Sequence, residues 1–457
     1  MLDRYDIAIL GGGPGGYVSA IRAGKLGAKV AVIESDLVGG TCLNRGCIPT
    51  KVMVEAAHRY YNATNSKEYG VEIESAKFNY ENMLKTRDEI VTNLRNGIIH
   101  LFNHYKIELI NGYGHLKSQD TIDVEGFGEI KAENIILATG SKPSSLPGLE
   151  IDGRFVLTSD DVLNLKKPPK DIIIIGAGPI GCEFAYIFAC LGVRVHLIEV
   201  LDRILPTNDK RASRVLSSKL KSIGVEIITN NTIKLWSKKN GGIEAIISDD
   251  KIISSDFIFL SVGRVPNTDA FKDLNDIRLD EKGYVITDNK MHTGFGNIYA
   301  IGDIVPTGML AHKASYEGVV AVENIMGMPN KARYDTIPKV VYTVPEVAQV
   351  GPTEEELERD GVEYNVSIFH YRALGRALAV GDRDGFAKVI ADKNGHLISG
   401  TIVGLSAGEL IGEVALGILS GISIDKMKNL VHNHPSLSEA TGEALWGLSG
   451  RMIHSVQ

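Results

Sequence analysis

A chain of 457 residues, 44% apolar and 23% charged, has the composition of a globular protein and material for about three domains. Its net charge of −7 argues against nucleic acid as a partner, because phosphate binding wants a basic surface. No apolar run reaches the roughly 18 residues of a membrane span, and no basic, apolar leader opens the sequence, so no membrane association and no signal peptide are expected. The four cysteines point to a reducing, cytoplasmic setting, where a close cysteine pair is more often catalytic or metal-binding than structural.

Residues 5–10 read as a short apolar strand, followed by Gly11-Gly-Gly-Pro-Gly-Gly16, an Ala-rich helix to Leu26 and a strand over 29–33 closed by Glu34. This βαβ unit carries G-x-G-x-x-G at Gly11, Gly13 and Gly16. Glycines there permit a tight turn and close backbone approach to a pyrophosphate, whose charge sits on the helix N-terminus. The acid can accept from a ribose hydroxyl.

Residues 39–51, Gly-Gly-Thr-Cys42-Leu-Asn-Arg-Gly-Cys47-Ile-Pro-Thr-Lys51, follow. Two thiols at this spacing can switch between dithiol and disulfide and so store two electrons. A pair of buried free cysteines or half a zinc site are the rival readings, but no second Cys/His pair with ligand spacing accompanies these thiols. A helix is expected from about Pro49 through Tyr61 and another over 80–105. Strands are expected near 107–110, 121–124 and 135–141, the last ending in small residues.

At Asp171 the opening pattern begins again: a strand over 172–175, a second G-x-G-x-x-G at Gly176, Gly178 and Gly181, a helix to Leu191, and a strand over 194–198 ending at Glu199. First glycine and acid lie 23 positions apart in both units. Two dinucleotide sites in one chain imply electron relay between cofactors. Cys182 and Cys190 on the second helix read as small apolar core residues.

Polar turns are expected at 238–242 and 248–250, and a linker at 263–268. A short strand ends at Gly302-Asp303, where the acid can face a cofactor polyol or cap a helix, and a helix follows from Ala311 to about Met326. From Tyr334 the pattern becomes that of a mostly antiparallel sheet, with strands near 340–345, 366–370, 385–390 and 398–403 and helices near 407–421 and 424–430. Val431-His-Asn-His434-Pro-Ser-Leu-Ser-Glu439 is the last marker.

Taken together, the cysteine stretch, Ala138-Thr-Gly140, Ala300-Ile-Gly-Asp303 and His434-Pro-Ser-Leu-Ser-Glu439 resemble the flavoprotein disulfide reductases over the whole chain, and within them the dihydrolipoyl dehydrogenase branch. The resemblance implies an α/β protein with two Rossmann-like domains, for FAD and NAD, and a C-terminal α+β dimerisation domain with an antiparallel sheet. The expected division is FAD-binding 1–147, NAD-binding 148–263, an FAD-domain return segment 264–333, and an interface domain 334–457. A homodimer is expected, with a lipoyl domain or lipoylated carrier protein of a 2-oxoacid dehydrogenase or glycine cleavage complex as partner.

By the same resemblance Cys42 is the interchange thiol and Cys47 the thiol against the flavin. A helix N-terminus favours a thiolate. Lys51, one turn beyond Cys47, approaches the flavin, and Glu183 resembles its acidic partner. His434 matches the base, its ring held by Glu439, and the resemblance implies that this dyad serves the active site of the other subunit. His432 is expected to be structural, and the peptide before Pro435 is a candidate for the cis form. Asp303, Ala311 and Gly114 are expected around FAD, and Thr41, Thr139, Gly140, Ile180 and Gly263 among the cofactor contacts. Glu199 selects NAD over NADP, because an acid repels a 2′-phosphate; Arg203 lies too far on to replace it. Glutathione and mercuric reductases are the rivals: the first prefers NADPH, and the second wants a further cysteine pair near the end, where residues 452–457 have none. An inactive structural subunit is disfavoured by intact Cys42, Cys47, His434 and Glu439.

Overall fold

The computed structural model describes residues 4–239 and 241–455, so Asn240, in the polar turn expected at 238–242, lies outside the described residues. The chain forms two compact units: Met1–Val52 with Tyr80–Ser144 and Gly263–Tyr334, and Met53–Asn79 with Ser145–Val262 and Asp335–Gln457.

The first unit is built on a sheet whose order is Glu108–Asn111, Val30–Glu34, Arg4–Leu10, Gly128–Leu137, Thr121–Val124, Gly114–Leu116, with Ile298–Ala300 also pairing with Gly128–Leu137. Its central strands are parallel, with Ile9 opposite both Val32 and Ile136. They read as continuous apolar runs because both faces are buried. One face packs around Ala8, Leu10, Ile135 and Leu137, the other around Ile7, Ile9, Val32 and Ile136. The helix Pro14–Lys25 lies along Ala311–Ile325. A side chain at Gly318 would meet the Gly15 carbonyl oxygen at 2.8 Å, so the approach of these helices needs a glycine there.

The second unit repeats the βαβ pattern in a parallel sheet ordered Glu226–Ile228, Arg194–Ile198, Asp171–Ile175, Phe257–Leu260, Val156–Leu157. It also holds a three-stranded antiparallel sheet over Ile233–Lys239, Gly242–Ile247 and Ile252–Ser255. The C-terminal sheet is antiparallel, in the order Lys339–Val341, Glu346–Val350, Leu397–Gly404, Phe386–Asp392, Tyr364–His370.

Three elements differ from expectation. Residues 263–268 are not a linker: Arg264–Pro266 pairs antiparallel with Ser141–Pro143, a match between segments too distant in sequence for local pattern to reveal. Glu346–Val350 is a full sheet strand that follows the cis Val344–Pro345 peptide. Glu439–Leu448 is a helix despite Thr441 and Gly442, poor helix formers, because burial of Ala440, Ala444 and Leu445 decides it.

Candidate functional site

The two glycine loops share one geometry. Gly11 and Gly176 have φ of +108° and +96°, and a Cβ on either would lie 2.3 or 2.6 Å from the carbonyl oxygen of Ala138 or Ser261. A Cβ on Gly16 or Gly181 would lie 1.8 or 2.0 Å from the loop's own first carbonyl oxygen. Gly13 and Gly178 cap their helices with φ, ψ of −70°, −173° and −71°, −173°, each followed by proline, and no side chain caps either helix. The first N–H groups of both helices are therefore left to a ligand, and the space beside Gly178 is open.

The two acids close their loops alike. Glu34 accepts from the N–H of Gly12 at 2.7 Å and of Asp36 at 2.9 Å. Glu199, buried, accepts from the N–H of Ala177 at 2.7 Å and of Leu201 at 3.0 Å. Each carboxylate oxygen keeps a lone pair for a ribose hydroxyl. Arg203 is engaged elsewhere, donating to Glu355 at 2.6 Å.

Cys42 lies on a short helix, Gly40–Arg45, and Cys47 opens the next helix, Cys47–Thr64. The expected helix start near Pro49 is thus moved back to Cys47, because Gly46, at φ −146° and ψ −107°, breaks the helical run between the thiols. Both cysteines are free thiols and half-buried. A hydrogen bond to Cys47, burial and the charge of Cys47 push the Cys42 thiol far up, while the Lys51 ammonium pulls it down. The pair therefore titrates as a unit. Tyr17 is pushed up by burial and by the charge of Cys42. The segment is tied to the first glycine loop, since the N–H of Gly39 donates to the Gly12 carbonyl at 2.8 Å. Thr41 sits on the Cys42 helix.

Around Asp303 the structure adds residues that sequence reasoning passed over. Ser141 donates to Asp303 Oδ2 at 2.6 Å, and Arg264 Nε donates to Ser141 Oγ at 2.7 Å. Behind them Lys313 and Glu317, both 0% exposed, lie 3.2 Å apart. Lys313 donates to the Gly302 carbonyl at 2.8 Å, and Glu317 accepts from the Gly302 N–H at 2.8 Å and from Tyr334 at 2.9 Å. Burial pulls the Lys313 pKa down, against Glu317 and Asp303, which raise it. The detectable signal was a charged i, i+4 pair on the apolar face of a helix. Thr139 Oγ1 donates to the Asn267 carbonyl at 2.5 Å, and Gly140 has φ of +73°. Gly114 is buried on its strand, and Ala311 begins its helix.

In the second unit, His434 Nδ1 lies 2.8 Å from Glu439 Oε1, and Glu439 Oε2 accepts from the Ser436 N–H at 2.8 Å. Burial raises the Glu439 pKa, but the Ser436 N–H and His434 outweigh it and hold the carboxyl below its usual range. His434 is 80% exposed within its own chain, and the peptide before Pro435 is cis. His432 is paired instead with Glu413 at 2.9 Å. Glu183, buried, accepts from the Tyr342 N–H at 2.9 Å. Ile180 lies in the first turn of the second loop's helix, which buries Cys182 and Cys190. Gly263, in the first unit, has φ of +107°.

Comparison with known proteins gives this geometry a family. Residues 5–318 match the model of the pyridine nucleotide-disulphide oxidoreductases, and residues 337–445 match their dimerisation domain. The chain belongs to this family. A dihydrolipoyl dehydrogenase of Bacillus subtilis is 37% identical, covering 99% of this chain and 100% of its own. The mitochondrial dihydrolipoyl dehydrogenase of Pisum sativum is also 37% identical, over 99% of this chain and 93% of its own. Among solved structures, LpdA of Mycobacterium tuberculosis superposes with a TM-score of 0.90 at 26% identity, covering 98% of this chain and 100% of its own. The HOCl-induced flavoprotein disulfide reductase RclA of Escherichia coli gives 0.86 at 27% identity, covering 96% and 99%. This chain is an NAD-dependent oxidoreductase, and FAD and NAD are its cofactors. Among the described residues, no helix is long and apolar enough to cross a membrane.

Proposed function

We propose that the chain is a homodimeric dihydrolipoyl dehydrogenase that oxidises a dihydrolipoyl group and reduces NAD⁺ to NADH. One observation carries this reading: two hydrogen-bonded thiols tied through Gly39 to the first glycine cradle. That cradle fits a pyrophosphate, because a Cβ at Gly11 or Gly16 would collide with backbone. Gly11, Gly13, Gly16, Glu34, Thr41, Lys51, Gly114, Thr139, Gly140, Asp303 and Ala311 would hold FAD. Gly176, Gly178, Ile180, Gly181 and Glu199 would hold NAD, and Glu183 and Gly263 complete the proposed set of cofactor contacts. Bound FAD supplies the two-electron link between the thiol pair and the nicotinamide.

The protein's own part is thiol exchange. A substrate thiolate attacks Cys42 Sγ of the Cys42–Cys47 disulfide, and Cys47 leaves as thiolate. The second substrate thiol, deprotonated by His434, attacks the substrate sulfur of the mixed disulfide, and Cys42 leaves. The substrate ends as a disulfide, and both of its electrons reside on the cysteine pair. Glu439 holds the Nδ1 side of the ring, so Nε2 is the proton acceptor. His434 faces away from its own chain, which supports a dyad serving the partner's cysteines. The physiological dithiol is proposed to be a lipoyl group on a carrier protein, and the location cytoplasmic.

Steady-state turnover of dihydrolipoamide with NAD⁺ and with NADP⁺ tests the reading. Brisk turnover with NAD⁺ and little with NADP⁺ is expected; no dithiol oxidation alongside NADPH-driven reduction of glutathione disulfide refutes it. Co-expressing Cys42→Ser and His434→Gln chains tests the shared site. A dyad acting across the dimer restores about a quarter of wild-type activity by statistics of subunit mixing, whereas one acting within its own chain restores none.

A further inference from the structure

A cleft in the second unit is lined by four arginines and a single carboxylate. It has a volume of about 340 Å³, and Arg211, Arg214, Arg372, Arg383, His370 and Phe386 face it. The arginines come from three separate segments: the first turns of the helix Lys210–Ser222, the turn after the strand Tyr364–His370, and the loop before the strand Phe386–Asp392. Among the described residues none of these four guanidinium groups makes an ion pair or a side-chain hydrogen bond. Elsewhere in the chain, by contrast, Arg22, Arg45, Arg59, Arg194 and Arg203 each find a carboxylate. Asp384 is the one carboxylate among the lining residues. The field is felt locally: burial lowers the His370 pKa, and the charges of Arg372 and Arg211 lower it further.

All four arginines are exposed, so solvent screens their mutual repulsion, and an anion seated among them would gain from each guanidinium. Each presents a planar fork that matches a phosphate bidentately. The floor is not polar throughout, since buried Phe386 packs edge-on to His370 with ring centres 6.4 Å apart. A concave site of this size, part cationic and part apolar, suits a small molecule better than a folded partner, which needs a broader surface. None of Gly176, Gly178, Gly181 or Glu199 lines it, so it is not the dinucleotide cradle.

We propose that this cleft binds a small phosphorylated molecule with two or more phosphates, of nucleoside-diphosphate size. Pyrophosphate is the simplest probe. The FAD-loaded enzyme, saturated with NAD⁺ so that both glycine loops are filled, is titrated calorimetrically with pyrophosphate and then with ADP at low salt. One saturable site per chain is expected, weakening as ionic strength rises. Arg372→Gln with Arg383→Gln should reduce the affinity about tenfold to a hundredfold, the scale for losing two charged hydrogen-bonding groups. Dithiol turnover without added anion should stay at the wild-type level. If that variant fails to fold, Arg211→Gln with Arg214→Gln reads the same site. Absence of saturable binding by either probe, or equal affinity in wild type and variant, overturns the proposal. Stronger binding of ADP than of pyrophosphate supports it and adds a contact from the base to the apolar floor.

Discussion

Replacing Glu439 by glutamine separates charge from shape in the His434 dyad. The wild-type carboxylate takes a hydrogen bond from His434 at 2.8 Å and a second from the Ser436 N–H at 2.8 Å. The glutamine amide can offer one oxygen, to the ring or to Ser436, and its NH₂ faces whichever partner remains. A hydrogen bond to a charged group contributes about 1.5–3 kcal/mol, and a neutral one about 1 kcal/mol. Losing the difference as positive charge develops on the imidazole costs about 1–2 kcal/mol, or roughly fivefold to thirtyfold in rate. Removing the base outright with His434→Gln should cost about a hundredfold or more. The assay is kcat/KM for dihydrolipoamide at saturating NAD⁺, measured from acid to neutral pH. The Glu439 pKa lies below its usual 4.5, so the carboxylate is present throughout the neutral range and is lost only as pH falls through that lowered value. The wild-type to Glu439→Gln rate ratio should therefore be flat near neutrality and shrink only in strong acid. A ratio within twofold at pH 7, or one that grows as pH falls, refutes the argument.

Three further outcomes are expected. Gly178→Ala should leave folding intact, because no atom lies within 4 Å of the added Cβ, yet raise KM for NAD⁺ about tenfold by filling the pyrophosphate's space; Gly181→Ala, with its Cβ 2.0 Å from the Gly176 carbonyl oxygen, should instead lower stability by about 1–3 kcal/mol, and thermal melting with NAD⁺ kinetics separates the two. Glu317→Ala should leave Lys313 buried without its carboxylate and cost about 3–5 kcal/mol in chemical denaturation, with FAD released more readily on dilution; unchanged FAD retention would detach this pair from the Asp303 turn. The hydrogen bond to Glu413, against burial, raises the His432 pKa above 6.5, so the pair's stabilisation is full below that value and is lost as pH rises through the raised one. Glu413→Gln should accordingly destabilise most in weak acid and progressively less in weak alkali, and a pH-independent difference would show that charge is not the cause.

How much of this was legible in sequence depended on the range of the contacts involved. Both glycine loops, their acids and the cysteine stretch are local patterns, and their elements lie within a few residues of expectation. Helix starts were less legible. Cys47 opens its helix because Gly46 interrupts the run, a backbone event that the apolar periodicity after Pro49 does not register. The pairing of Arg264–Pro266 with Ser141–Pro143 joins segments more than 100 residues apart, so those residues looked like a linker when taken alone. The Lys313–Glu317 pair escaped for a different reason. A Lys and a Glu four apart usually mark a solvated helix face, and only the burial of that face turns them into a clamp on Gly302.

The comparison of the two glycine loops also shows why the redox pair stands after the first of them. The second residue of each loop, Gly12 or Ala177, offers its carbonyl to a later segment. In the second unit the Leu205 N–H takes that bond at 2.8 Å, from a stretch with no thiols. In the first unit the Gly39 N–H takes it, also at 2.8 Å, and Gly40 then lies so near the loop that a Cβ would come within 2.6 Å of Gly13 Cα. Two glycines are thus needed immediately before Thr41 and Cys42 for the thiol helix to sit down on the phosphate-binding turn. Any side chain at residue 40 lifts that helix away from the loop, and Cys42 and Cys47 move with it. The Gly-Gly before the cysteines therefore sets the distance between the electron store and whatever the first loop binds. The cysteine spacing alone could not have set it.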